Sequence, residues 1–195
     1  MSMKNVRYII YLLVIIIVLF ACSVGFVLLL KDSKANEVPP VQDDDVSFIA
    51  EKDVIDIKSI ISVSDDFGRN LDEENNGAFG YLKFDVKNNT GYDRGFQIYI
   101  TKNDLDEKEE INAGYITFYL TNLSDIPMSG YTENKLPSYY DLKVISDKAD
   151  SKSLYSGIIK GNETLHYVLR VWIADNYVVL NNEKKFSFEI GARAV

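Results

Sequence analysis

Hydrophobic and polar positions along this 195-residue chain fall into three regimes. From Tyr8 to Leu30 the sequence runs 23 positions without a charge. As a helix this stretch is roughly 34 Å long, slightly more than the hydrocarbon core of a bilayer. It predicts a transmembrane signal-anchor over residues 8–30. Residues 31–45 (KDSKANEVPPVQDDD) carry almost nothing apolar, with Pro39–Pro40 at the middle and the acidic triplet Asp43–Asp45 at the end. Such a segment cannot bury a core and reads as an extended, solvated linker. From Val46 onward the period becomes two.

That alternation predicts strands. Ile55, Ile57, Ile61 and Val63 share one face, with Asp56 and Lys58 on the other. Leu82, Phe84 and Val86 alternate with Tyr81, Lys83 and Asp85, and Phe96, Ile98 and Ile100 with Gln97, Tyr99 and Thr101. Ile116, Phe118 and Leu120 follow the same rule, as do Leu165 to Ile173 and Phe186 to Ile190. β-branched and aromatic residues at this period mark half-buried antiparallel strands. Asn88–Gly91, Gly161–Asn162 and Asn181–Asn182 supply turn chemistry between them. Gly161–Asn162 reads as the turn of a hairpin joining Ser153–Lys160 to Thr164–Ile173. Residues 124–140, with Pro127 and Pro137, read as a long loop, and no amphipathic helix stands out. Eight or nine strands in about 150 residues predict an all-β fold, an extracellular antiparallel β-sandwich of jelly-roll or Ig-like type over residues 46–195.

Charge sets the orientation. Lys4 and Arg7 precede the span and no acid does, so the positive-inside bias keeps residues 1–7 in the cytoplasm and places the C-terminal domain outside the cell membrane. Three fates of the anchor stay open: retention, cleavage after Ala35 at Ser33-Lys34-Ala35, or lipidation at Cys22 within Leu19-Phe20-Ala21-Cys22. The lipid bilayer is the expected partner of Tyr8 to Leu30.

The whole chain holds 21 basic and 29 acidic residues, for a formal charge of -8. An acidic surface excludes the clustered cations that nucleic acid requires, so no nucleic-acid partner is expected. The lone Cys lies in the span, which leaves the outer part without disulfides and points to a bacterial surface protein. One His and one Cys exclude the usual zinc ligand sets. His166 stands on a strand's outer face without an H-E-x-x-H or G-x-S-x-G neighbourhood. The reading is not an enzyme, with no cofactor. The acidic stretch Asn103–Glu110 lacks the glycine of a calcium loop and reads as solubilising.

Contact residues are better sought among the 13 tyrosines, which give area at low entropic cost. Tyr131, Tyr139 and Tyr140 lie in or beside the long loop. Arg170 and Trp172 share one strand face with His166, where they form either an exposed gripping strip or a face packed beneath a second layer.

Four stretches occur in an order that resembles a known group: Tyr81-Leu-Lys-Phe-Asp-Val-Lys-Asn-Asn, Phe96-Gln-Ile-Tyr-Ile, Leu154-Tyr-Ser-Gly-Ile-Ile and Tyr167-Val-Leu-Arg-Val-Trp-Ile. Over residues 79–195 the chain is similar to the camelysin-like, biofilm-fibre-type small β-sandwich surface proteins of Gram-positive bacteria. The resemblance implies a jelly-roll-like extracellular protein of the cell surface or matrix, capable of self-association. Members of that group are typically released by a dedicated signal peptidase, a pattern from which the long anchor departs. Some were described as metalloproteases, but no matching metal motif is present here. The expected role is therefore structural, adhesive or matrix-forming at the bacterial cell surface, with self-association or other cell-surface proteins as partners. An accessory or ligand-binding ectodomain of an exporter or sensor is the alternative, and a surface hydrolase a third.

Overall fold

The computed structural model describes residues 38–58, 61–75, 79–132, 136–178 and 184–195. The predicted span, Cys22 and the Ser33-Lys34-Ala35 site lie outside the described residues. Among those described, no helix is long and apolar enough to cross a membrane. The chain divides into units Met1–Pro40 and Val41–Val195.

Two antiparallel sheets build the second unit. The nine strands are β1 (Val46–Ala50), β2 (Val54–Lys58), β3 (Gly80–Asn88), β4 (Arg94–Lys102), β5 (Ile116–Asn122), β6 (Lys143–Ile145), β7 (Lys148–Ile159), β8 (Thr164–Ile173) and β9 (Lys185–Ala194). One sheet has the order β1-β3-β8-β5 and the other β2-β9-β4-β7-β6. The pairs β6·β7, β5·β8 and β4·β9 are nested, as if one long hairpin had been rolled up.

Inward-facing residues are those the alternation selects. Ile57, Val86, Ile98, Ile100, Phe118, Leu120, Leu169, Val171, Phe186 and Phe188 are fully buried between the sheets. Each such side chain contributes about 1.5–3 kcal/mol relative to exposure.

Three expectations need correction. The predicted strand Val54–Val63 stops at Lys58: Ile61 is 47% exposed, and Val63 makes only an isolated parallel bridge to Ala174. The linker is shorter than residues 31–45, because Val41 already belongs to the folded unit. Within it Asp45 is buried and pairs with the buried Arg94 at 2.8 Å, so the acidic triplet is not wholly solvated.

The hairpin at Gly161–Asn162 is absent, since β7 and β8 lie in different sheets. Residues 89–93 and 160–163 both cross between sheets, and the fully buried Asn88 ties them together. Its Nδ2 donates to the carbonyls of Tyr92 (2.7 Å) and Lys160 (3.0 Å), while its Oδ1 accepts from Thr90 N (2.9 Å). Gly161 fits because a Cβ there would stand 2.4 Å from the Gly91 carbonyl oxygen.

The described part of the loop expected at 124–140 is tied down. It caps the free edge of β5, with Phe118 N donating to Pro137 O and Met128 N to Leu120 O, both at 3.0 Å. The outer face of β8 is covered, as the packed reading of Arg170 and Trp172 expects. A short helix, α1 (Asp65–Arg69), is capped by Ser64, whose side chain accepts from Phe67 N, and lies on Trp172. A Cβ on Gly68 would sit 2.2 Å from that indole.

Candidate binding groove

At one end of the sandwich the β4–β5 connection, Tyr140 before β6, and Tyr177 and Lys184 from the β8–β9 connection converge. Between them lies an open groove of about 430 Å³, within the ~300–1,000 Å³ typical of small-ligand sites. Its floor is the buried pair Ile111 and Ala113. The floor is held in place by Ile111 N donating to Lys185 O (2.9 Å) and Lys185 N to Glu109 O (2.7 Å). A single turn follows, capped by Asn112, whose Oδ1 accepts from Gly114 N at 2.9 Å.

Tyr140 and Tyr177 stand in the lining. Tyr140 is 64% exposed, yet its ring is braced on three sides. It packs edge-to-face on Tyr139 (6.0 Å, 69°), which packs the same way on core Phe186 (5.6 Å, 67°). The Lys152 ammonium lies 4.6 Å from the Tyr139 ring centre and 5.6 Å from that of Tyr140, and donates to Tyr139 O at 2.9 Å. Gly114 lets the ring approach, since a Cβ there would stand 3.2 Å from Tyr140 Cδ2. Tyr177 is half-buried and rests on Tyr115, centres 5.1 Å apart. Burial pushes the Tyr139 phenol above its ordinary range, with the Asp150 carboxylate adding to the effect. Burial also pulls the Lys152 ammonium down.

Charge in the groove is balanced. Lys102 Nζ pairs with Glu110 Oε1 at 2.6 Å, and Lys184 Nζ donates to Glu110 O at 3.1 Å. Glu107 completes the lining and makes no ion pair among the described residues.

Of the five contact residues expected from sequence, the structure brings Tyr139 and Tyr140 together here, the first as buried support and the second as exposed surface. Tyr131 is buried elsewhere, its hydroxyl donating to Leu154 O at 2.8 Å, and its burial pushes the phenol well above the usual range. Trp172 is fully buried, so no exposed aromatic strip exists on β8. Arg170 is buried between cross-strand neighbours Tyr81 and Tyr119. It donates from Nε to Leu71 O (2.8 Å) and from its terminal nitrogens to Thr121 Oγ1 (3.2 Å) and Asp125 Oδ1 (2.7 Å). The packed-layer alternative describes this face.

Tyr177, Lys184, Asn112 and Gly114 escaped the sequence reading, and Glu107 enters it only within the solubilising stretch Asn103–Glu110, because no local spacing links residues that meet only through three connections. His166 lies apart, half-exposed, its Nδ1 2.7 Å from Asp85 Oδ1. Among the described residues no three His, Cys, Asp or Glu side chains are grouped to hold a metal ion. The sequence matches no known protein-family model and no curated protein.

Proposed function

We propose that this chain is a single-pass surface protein of a Gram-positive bacterium, anchored in the cell membrane through Tyr8 to Leu30 with an extracellular β-sandwich that makes adhesive or matrix contacts. The 23-residue uncharged run and the bias of Lys4 and Arg7 support the anchor and its orientation. The nested strand pairs support a jelly-roll-like winding, in keeping with the resemblance to camelysin-like proteins.

One observation carries the contact role. Beyond Ser153 no named strand pairs with the far side of β7, and the segment Tyr155-Ser-Gly-Ile-Ile159 has neither charge nor proline. Ile158 there is 75% exposed. Sheet edges without charge, proline or cover recruit strands from other chains. A second copy is the occupant that follows. The full chain in detergent micelles is expected to self-associate in analytical ultracentrifugation, and Ile158→Lys to abolish this. A wild-type protein that stays monomeric at high concentration would remove the reading.

The end groove supports a second role, that of a ligand-binding ectodomain. The N-terminal residue of the mature protein decides the anchor's fate: Met1 means retention, Asn36 release, and a modified Cys22 lipidation.

A further inference from the structure

We infer that the groove lined by Tyr140 and Tyr177 is a saccharide-binding site, taking a short stretch of a neutral or amphoteric surface glycan. The inference gives chemistry to the ligand-binding reading and is independent of the β7 edge. A pyranose presents a C–H face that stacks on an aromatic ring and a rim of hydroxyls that both donate and accept. The groove offers the matching groups. The exposed Tyr140 ring supplies an apolar face, and the half-buried Tyr177 a second. Around them stand the Lys102–Glu110 pair, the Asn112 amide, Glu107 and Lys184.

Two features make this a site rather than a hollow. The Tyr140 ring already packs on Tyr139, Lys152 and the bare Gly114 backbone, so a ligand has less rotamer entropy to remove. Rigid tyrosines of this sort act as binding anchors. Charge also selects. Among the described lining residues two lysines face two glutamates, which leaves no net cation there to hold a phosphate or a polyanion. The buried Ile111 and Ala113 form a floor without an apolar socket, which argues against a peptide anchored by a large hydrophobic side chain.

The test uses the full chain in detergent micelles, with saturation-transfer NMR and calorimetry against a glucose tetramer, an N-acetylglucosamine tetramer and dextran sulfate. At least one neutral tetramer is expected to bind, and Tyr140→Ala and Tyr177→Ala each to weaken it by about tenfold or more. The emission of the single tryptophan, buried under α1, reports that both variants stay folded. Ile158→Lys is expected to bind saccharide unchanged while losing self-association, which separates failure of one reading from failure of the other. No binding by either neutral tetramer, undiminished binding by Tyr140→Ala, or salt-sensitive binding of dextran sulfate alone would overturn the assignment.

Discussion

Each sheet carries on its outer face an arginine paired with an exposed aspartate, and the two arginines differ in burial and in what else they hold. On the β1-β3-β8-β5 sheet, Arg170 is buried beside Leu71 and binds a backbone carbonyl, a threonine and the exposed Asp125. On the other sheet, the partly exposed Arg193 reaches Gln97 and grips the exposed Asp147 through two bonds of 2.6 and 2.9 Å. The better-formed fork is the less consequential one. An exposed pair is screened and contributes ~0–1 kcal/mol, whereas removing a buried partner strands polar groups that water no longer reaches. Position beneath a covering layer, not hydrogen-bond geometry, sets what each arginine does for the fold.

The sharpest way to break the contrast is to lift the cover. Gly68→Val drives a side chain into the Trp172 indole. The expected loss is about 3 kcal/mol, measured by urea unfolding, with a red shift of tryptophan emission as the segment detaches. Unchanged emission and stability would mean that the cover is not a packed layer. Next comes Arg170→Met, expected to cost about 2–3 kcal/mol by orphaning Leu71 O and Thr121 Oγ1. A cost below about 0.5 kcal/mol would place the two arginines in one class.

Alkali should act on buried phenols rather than on either pair. Tyr131 and Tyr167 hold their protons above the ordinary pKa of 10.0 because burial penalises the phenolate. Their contribution is complete below pH 10 and is lost as pH rises beyond it, when the unfolded chain ionises first. The expected outcome is alkaline unfolding above pH 10, with a step in tyrosinate absorbance that coincides with loss of tertiary circular dichroism. Separate transitions would contradict the linkage. The smallest effect is Arg193→Met, expected to shift stability by about 0.5 kcal/mol in low salt and less in high salt. A loss that persists in high salt would show that this face is covered in solution.

Legibility in the sequence follows the same division. Where only one face of a strand is buried, alternation names the core: Ile55 and Ile57, or Phe96, Ile98 and Ile100, face inward as the period requires. On β8 the rule breaks, yet its failure was written in the letters. Val168 and Trp172 are apolar on the supposed solvent face, and a strand apolar on both sides is one covered on both. What covers it could not be read, because Ser64–Leu71 looks like a polar loop and docks through a glycine, the residue with least to declare. Turns were visible as turns at Asn88–Gly91 and Gly161–Asn162, but turn chemistry does not state whether the next strand stays in its sheet. In the groove, Tyr140 was found by exposure-tolerant chemistry and loop position. Tyr177 and Lys184 enter it only through the meeting of distant connections.

The strand order has a kinetic meaning. Of the eight steps between successive strands only β6 to β7 stays within a sheet. Every other ladder must wait for partners far away in the chain, and loop closure has to be completed before those contacts repay it. Folding is therefore expected to be slow and all-or-none, with the β6–β7 hairpin the one local strand pair among the described residues. A ribosome or translocation channel that has delivered the chain only as far as β7 has delivered β4 without β9 and β5 without β8. The β1-β3-β8-β5 sheet has all its strands once β8 has emerged, whereas the other waits for β9, which lies between β2 and β4, so losing β9 splits that sheet rather than trimming an edge.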